Sequence, residues 1–252
     1  MNRYKKRKRN LYNPDSLESF KISRSKIDLF TRCPRCFYLD RRLGFGRPSM
    51  PGWSLNSAVD QLLKNEFDIL RKKGEGNLLM KENGIDAIPF VHPDLAEWRD
   101  DHYRYVGAST LHKKTNLLIS GIVDDIWVNK KEELFMVDYK STSTSKKISL
   151  DDEYKQGYKR QIEIYQWIFR QKGFIVSDTT YFLFANASKN RPSFDGKLEF
   201  EVSIIPYVGD DSWVEPTIIE IKKCLDGDKA PLPSENCEHC AYRKLISEVE
   251  KN

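Results

Sequence analysis

The feature that most limits how this chain folds is a pair of apolar segments near its middle. Residues 116–129 and 133–142 are rich in apolar and β-branched side chains, and only three polar residues separate them. The pattern predicts an antiparallel hairpin that turns at Lys131. In that hairpin Asp124 lies opposite Asp138, where directly opposed Cβ atoms are about 5 Å apart. Like charges this close destabilise a hairpin unless a positive group lies between them, and a divalent cation meets that need.

A lysine close to these acids completes a set suited to metal-assisted hydrolysis. Strand side chains alternate, so Asp138 and Lys140 project from one face and Tyr139 from the other. The carboxylates of Asp124 and Asp138 are the hard oxygen ligands that Mg²⁺ and Mn²⁺ prefer, and the backbone carbonyl of Tyr139 offers one more. Bound metal lowers the pKa of water from about 15.7 toward neutrality, so no histidine base is needed. The structural alternative is a solvated strand end with a surface salt bridge. Asp124 argues against it, because an acid within an apolar run is costly unless it is paired or binds metal.

Hydrophobic periodicity and chain breakers predict the other elements. Apolar residues at helical spacing predict three long helices, at residues 54–73, 152–172 and 212–225. Short apolar runs predict further strands, at residues 103–111, 179–185 and 198–205. A first helix is expected from Ser23 or Ser25 through the Cys33 turn to Leu43, and residues 77–101 are expected to form loops or short helices. A mixed α/β fold follows, with a central mixed sheet flanked by helices that bury both of its faces.

The net charge of +5 arises from the first ten residues, which hold six Lys or Arg and no acid. The rest of the chain contains 36 basic and 37 acidic residues, so it is electrically balanced. We predict a basic, disordered tail at residues 1–20, with a phosphate-contacting arm as the alternative. One domain is predicted over residues 21–252, including a C-terminal cysteine segment at 228–252. No apolar run reaches the roughly 20 residues of a membrane span, and the N-terminus lacks the apolar stretch of a signal peptide. We therefore expect a cytoplasmic protein without a membrane partner.

Two C-x-x-C pairs, Cys33 with Cys36 and Cys237 with Cys240, lie about 200 residues apart, and in a cytosolic protein they indicate four thiolates on one metal centre. Disulfides are disfavoured in that compartment. The alternative is two unrelated thiol pairs. The fifth cysteine, Cys224, falls on an apolar helical stretch and is expected in the core.

Together these motifs resemble the RecB-type branch of the PD-(D/E)xK nucleases, which includes the CRISPR-associated RecB-like exonucleases and the AddB nuclease domain. Residues 121–124, Gly-Ile-Val-Asp, look like the G-x-x-D motif of that branch, and residues 138–140 look like its D-x-K motif. Gln161 and Tyr165 match its Q-x-x-x-Y helix motif. Their i, i+4 spacing puts the amide and the phenol on one helical face.

This resemblance implies a restriction-endonuclease-like core with elements in the order α-β-β-β-α-β. It also implies a Mg²⁺- or Mn²⁺-dependent deoxyribonuclease, in this branch an exonuclease, that acts in DNA repair or recombination. Asp124, Asp138 and Lys140 are the implied catalytic residues, and Gln161 and Tyr165 are the implied contacts to DNA. The alternative is a catalytically inactive nucleic-acid-binding module that keeps the fold and the metal site.

The sequence departs from the family at two metal sites. Relatives usually carry a metal-binding histidine on the helix before the strands, where this chain has Asp60. Asp60 is therefore either an oxygen ligand or a solvent-facing helix residue. Some relatives bind a structural 4Fe-4S cluster through cysteines at both chain ends, usually one plus three, and the resemblance implies that cluster here. The two-plus-two arrangement of Cys33, Cys36, Cys237 and Cys240 suits structural Zn²⁺ as the alternative.

Overall fold

The structure, a computed structural model, describes residues 5–48, 52, 54–100 and 103–250. The chain divides into two compact units. The first unit is assembled from residues 1–51, 110–120 and 212–252, and the second from residues 52–109 and 121–211. Residues 1–4 of the predicted tail lie outside the described residues. The disordered tail and the single domain over residues 21–252 stay predictions.

The described residues form eight α-helices and eight β-strands. The helices are α1 (Arg24–Arg32), α2 (Pro34–Arg41), α3 (Ser54–Lys73), α4 (Leu78–Glu82), α5 (Leu95–Trp98), α6 (Gln156–Gln171), α7 (Val214–Asp226) and α8 (Glu238–Val249). The strands are β1 (Phe20–Ser23), β2 (Ala87–Pro89), β3 (Ala108–His112), β4 (Leu117–Gly121), β5 (Asp125–Asn129), β6 (Leu134–Thr142), β7 (Thr179–Ala187) and β8 (Phe200–Val208). The three long helices predicted from periodicity are confirmed as α3, α6 and α7. None of the described helices is both long and apolar enough to cross a membrane.

The second unit is built on a five-stranded mixed sheet in the order β2-β5-β6-β7-β8. β5 and β6 form the predicted antiparallel hairpin, in which Asp125 pairs with Val137 and Val128 pairs with Leu134. β6 and β7 run parallel, and the other neighbours are antiparallel. Parallel neighbours need a crossover connection, and α6 lies in the connection between β6 and β7. The predicted mixed α/β architecture is confirmed.

Helices pack against this sheet through apolar side chains. Leu63 and Phe67 of α3 join a core with Trp127 and Tyr139, and Phe67 stacks on Trp127 with ring centroids 5.4 Å apart. α6 is buried without interruption over residues 161–169 and contacts β6. Burying one large apolar side chain contributes about 1.5–3 kcal/mol. The position of β6 is therefore fixed by both helices.

The apolar segment over residues 116–129, predicted as a single strand, forms two. β4 ends at Gly121, β5 begins at Asp125, and a bend separates them. β4 belongs to a three-stranded sheet in the order β1-β4-β3, separate from the sheet that contains β5. The cause is local. The Asp124 carboxylate accepts a hydrogen bond from the Tyr139 N–H at 2.8 Å, at the position where a longer β5 would pair with β6.

The first unit packs α1, α2 and α7 together, with β1 parallel to β4. The sequence predicts one helix through Cys33, whereas the structure has two helices that meet there. Cys33 is extended, with φ −163°. The reason is that Pro34 disfavours a helical conformation at the residue before it.

Part of the basic N-terminal segment contacts α2 and the residues that follow it within the first unit. The backbone N–H of Arg7 donates to the Gly44 carbonyl at 2.9 Å, and the Arg7 guanidinium pairs with Asp40 at 3.0 Å. Asp40 also pairs with Lys26 at 2.7 Å. This buried acid therefore holds two cations at the surface of α2.

Asp125 is a fully buried acid that α3 helps to neutralise. Its carboxylate accepts hydrogen bonds from the Tyr139 hydroxyl and the Ile126 N–H, both at 2.8 Å, and forms an ion pair with Arg71. Burial raises the pKa of Asp125, and the positive charge of Arg71 opposes that rise. Removing one partner of a buried pair leaves the other charge uncompensated. The stability of the second unit should therefore depend on Arg71.

Replacing Arg71 by Met should lower the free energy of unfolding by about 3–5 kcal/mol near pH 7, because the Asp125 carboxylate loses its cation. With its pKa raised, Asp125 binds protons more readily in the folded state than in the unfolded state. The stabilisation that comes from the protonated Asp125 carboxyl is therefore lost as pH rises through the pKa of Asp125 in the folded state. This loss should be larger in the variant than in the native chain.

Urea unfolding at several pH values measures both effects. Lys130→Met is the control, since it removes an exposed pair with Asp86 and should change stability by less than about 1 kcal/mol. A decrease in Arg71→Met no greater than in the control would contradict the role given to Arg71.

Candidate active site

Asp124 and Asp138 are neighbours at the point where β5 begins. The register pairs Asp125 with Val137, so Asp124 is the next residue opposite Asp138. Asp138 is fully buried, whereas Asp124 is half-buried. The Asp124 carboxylate is held by the Tyr139 N–H. The structure thus brings together the two acids that the hairpin pattern predicts to be opposed.

Lys140 reaches Asp138 from two residues further along β6. Its ammonium forms an ion pair with Asp138 and lies over the Tyr158 ring, 4.6 Å from the ring centroid. Burial alone would lower the pKa of Lys140, but the negative charges of Asp138 and Asp124 outweigh burial and raise it. Lys140 therefore stays a cation at neutral pH.

Gln161 of α6 binds the other oxygen of the Asp138 carboxylate. Its amide nitrogen donates to Asp138 Oδ1 at 2.6 Å and to the Tyr165 hydroxyl at 3.2 Å. Gln161 is 8% exposed and Tyr165 only 2%. Both side chains are placed to orient Asp138, and their direct contact with DNA stays a prediction.

Gly121 of the G-x-x-D motif lies against the ring of Tyr165 of the Q-x-x-x-Y motif, although the two are distant in the sequence. A Cβ at this position would lie 2.5 Å from Cε1 of the Tyr165 ring, well inside the favourable carbon–carbon separation of about 3.5–4.0 Å. Glycine at the end of β4 therefore lets the Tyr165 ring pack there and keep its hydroxyl next to Gln161.

Asp60 of α3 lies within electrostatic range of these acids. Burial and the negative charge of Asp124 raise the pKa of Asp60, and its carboxylate pairs with Lys64 at 3.1 Å. Among the described residues, the only group of three or more His, Cys, Asp or Glu side chains with ligand atoms within 4.8 Å of one another consists of cysteines. Asp60 does not join Asp124 and Asp138 in so compact a group, and its role as a ligand stays a prediction.

The donors at the end of β5 suit a divalent cation. The N–H and C=O of one strand residue project toward the same edge, so the Tyr139 carbonyl points to the edge where its N–H meets Asp124. Two carboxylates and a carbonyl are hard oxygen donors. This donor set therefore fits a divalent cation.

Four cysteines lie together in the first unit. Cys33 and Cys237 each precede a helix, α2 and α8, and Cys36 and Cys240 lie in the first turns of those helices. Their sulfur atoms all lie within 4.8 Å of one another, which confirms that the two C-x-x-C pairs converge. Burial raises the pKa of Cys36 and Cys240. Burial opposes ionisation of Cys33 too, but backbone hydrogen bonds lower its pKa to about 6. The thiolate is the metal-binding form, so this group can hold a metal ion.

Comparison with known proteins identifies the family. The family model of the PD-(D/E)XK nuclease superfamily matches residues 53–245, well over half of the chain. The chain belongs to this superfamily. A solved structure, the crystal structure of SSO0001, is 14% identical in sequence, and the alignment covers 89% of this chain and 84% of that one with a TM-score of 0.35. No curated protein matches the chain.

In this PD-(D/E)XK superfamily member, Tyr158 belongs to the site although no motif contains it. Its ring lies beneath the Lys140 ammonium. Tyr158 precedes Gln161 by three residues and Tyr165 by seven, so all three share one face of α6. That spacing is the sequence signal that points to Tyr158.

A polar cleft of about 350 Å³ lies beyond the C-terminal ends of β6 and β7. Three lysines line it, Lys146, Lys147 and Lys189. β6 carries Asp138 and Lys140 and leads directly into this cleft. The adjacent Lys146 and Lys147 are a weak sequence signal, because a short basic pair is common on any solvated loop.

Gly121→Ala should lower the free energy of unfolding by about 1–3 kcal/mol, because the added methyl displaces the buried Tyr165 ring. Gly157→Ala in α6 is the matched control, since a Cβ there meets no atom closer than 3.9 Å. Alanine favours a helix, so the control should be neutral or stabilising by up to about 1 kcal/mol. Urea unfolding measures both.

A double-mutant cycle tests the steric cause. Tyr165→Ala should cost less stability in the Gly121→Ala background than in the native chain, because the clash disappears with the ring. Equal costs in the two backgrounds would rule out the contact as the reason for glycine.

Proposed function

We propose that this protein is a Mg²⁺- or Mn²⁺-dependent DNA nuclease. The strongest support is the buried Asp138 carboxylate, which is held between Lys140 and Gln161 and has Asp124 opposite. Membership of a nuclease superfamily supports phosphodiester hydrolysis as the activity. The resemblance of the motifs to the RecB-type branch supports exonuclease action and a role in DNA repair or recombination.

In this proposal the acids bind the cation and α6 orients them. Asp124, Asp138 and the Tyr139 carbonyl would hold the divalent ion. When bound, the ion would lower the pKa of a water molecule and offset negative charge on the phosphate. Gln161 fixes the rotamer of Asp138 by binding Oδ1, which leaves Oδ2 beside Lys140. Tyr165 limits the movement of Gln161 in turn.

Lys140 acts as a cation in this proposal. Its ammonium is paired with Asp138 and has donors but no acceptor. It can donate to a phosphate oxygen and stabilise the charge that develops in the transition state. Its contact with the Tyr158 ring restricts the direction in which it points.

The lysine-lined cleft supports a nucleic-acid substrate. Lys146, Lys147 and Lys189 place three cations beyond the strand that carries Asp138. Lysines that neutralise phosphates release counterions, which favours binding. Because the body of the chain is balanced in charge, attraction for DNA must come from local cationic surfaces, from bound metal or from the basic N-terminal segment, and this cleft is one such surface.

A catalytically inactive nucleic-acid-binding module is the second candidate. The observation in its favour is the pairing of Asp60 with Lys64, which engages the carboxylate at the position of the family histidine. The arrangement of Asp124, Asp138 and Lys140 favours the nuclease.

Asp138→Ala and Lys140→Ala should each reduce Mn²⁺-dependent DNA cleavage by at least about 10²-fold, because each removes a group that acts on the reacting phosphate or its cation. Linear, circular and single-stranded DNA with Mg²⁺ or Mn²⁺ are the substrates, and an exonuclease should spare the circle. Lys130→Ala, on the exposed turn at the other end of β6, should cleave like the native chain. Unchanged cleavage in both site variants, or no cleavage by the native chain, would remove the nuclease proposal.

Replacing Lys146 and Lys147 together by Ala should weaken DNA binding at low salt with little change in the rate of cleavage at saturating DNA. On duplex DNA, the slope of log affinity against log salt should fall by about 0.9 for each phosphate that the variant no longer neutralises. Fluorescence anisotropy over a salt series gives this slope. Lys130→Ala with Lys131→Ala is the matched control, with the same change in charge. Equal slopes in the two double variants would show that DNA does not follow the cleft.

A further inference from the structure

We propose that Cys33, Cys36, Cys237 and Cys240 bind a single Zn²⁺ in a tetrahedral tetrathiolate site, and not the 4Fe-4S cluster that the RecB-type resemblance implies. The proposal goes beyond the nuclease function and does not depend on it. The spacing of the sulfur atoms carries it.

The sulfur atoms are spaced as the ligands of one ion. The Cys33 and Cys240 sulfurs are 3.9 Å apart, those of Cys36 and Cys237 are 3.7 Å apart, and those of Cys36 and Cys240 are 3.5 Å apart. Tetrahedral zinc with Zn–S bonds of about 2.3 Å places its sulfur ligands about 3.8 Å from one another. The three measured sulfur–sulfur distances lie within 0.4 Å of one another and on either side of this value.

An iron-sulfur cube needs a wider group. Its four thiolates bind four different irons at the corners of a core that also contains four sulfides, so the cysteine sulfurs are separated by roughly 6 Å. Here every pair lies within 4.8 Å. To admit the cube, the cysteines of the α2 pair would have to move away from those of the α8 pair, and the two members of each pair would have to separate. The donor set therefore does not fit the cluster.

Positive charge around the group suits a tetrathiolate. Four thiolates on one Zn²⁺ carry a net charge of −2, which needs compensation in a buried site. Arg47 Nη2 lies 3.3 Å from Cys237 Sγ. The two cysteine pairs also lie at the N-termini of α2 and α8, where the helix dipole is positive. Three of the four cysteines are buried, at 0% to 6% exposure, which limits exchange of a bound ion with solvent.

Metal analysis of the native chain tests the proposal under conditions that favour the rival cluster. The protein is expressed with added iron and cysteine and purified without oxygen. We expect one zinc ion per chain by plasma mass spectrometry, without stoichiometric iron or acid-labile sulfide, and a colourless solution. X-ray absorption at the zinc edge should show four sulfur neighbours at about 2.3 Å. Four irons with sulfide in each chain, or a chain that binds neither metal, would overturn the proposal.

A pair of cysteine variants provides the matched comparison. Cys240→Ser removes one ligand and should bind zinc roughly a hundredfold or more weakly in competition with a chelator. Cys224→Ser, in α7 and outside the group, should bind zinc like the native chain. Equal zinc affinity in the two variants would overturn the proposal.

A measurement on the native chain covers the case in which Cys240→Ser does not fold. Removal of the metal by a chelator should lower the melting temperature, and zinc alone should restore it. Recovery with iron and sulfide but not with zinc would overturn the proposal. Neither readout uses nuclease activity, so the result is separate from that of the cleavage assays.

Discussion

The buried carboxylate of Asp138 is the group on which the arrangement of the second unit depends. A charge removed from water is tolerated only when it is paired and hydrogen-bonded, and Asp138 is paired with Lys140 and hydrogen-bonded by Gln161. Gln161 reaches the acid because α6 packs on β6. Tyr165 supports Gln161 because Gly121 leaves room for its ring. A chain of contacts thus links the buried Asp138 of β6 to Gln161 and Tyr165 of α6 and to the glycine at the end of β4.

β6 contributes to both the core and the candidate site through the alternation of its side chains. Asp138 and Lys140 meet α6, while Tyr139 between them packs with Phe67 of α3 and donates its hydroxyl to Asp125. The backbone N–H of Tyr139 also holds Asp124. Tyr139 therefore couples the apolar core to the position of an acid in the site. The core beneath the candidate site therefore helps to hold these side chains in place.

Local pattern predicts the hairpin and the long helices well, because a short turn fixes strand register and an apolar stripe fixes a helical face. The opposition of Asp124 and Asp138 follows from that register. The break between β4 and β5 does not, since it depends on the Asp124 side chain meeting Tyr139 across the hairpin. The sequence also does not predict that Asp60 pairs with Lys64 near the candidate site. Charges at i, i+4 form the same pairs on exposed helices, so the spacing alone does not indicate a site. In the same way, a C-x-x-C pattern predicts that sulfurs converge but leaves their separation to tertiary packing.

The order of the segments along the chain has a consequence for biosynthesis. The second unit is encoded entirely between residues 52 and 211, whereas the first unit needs residues from 212 onward. On the ribosome, domains fold as units as they emerge. The second unit can therefore fold before Cys237 and Cys240 have been synthesised, when Cys33 and Cys36 have no partner cysteines. The group of four cysteines forms last, because it is complete only after Cys240 has been synthesised.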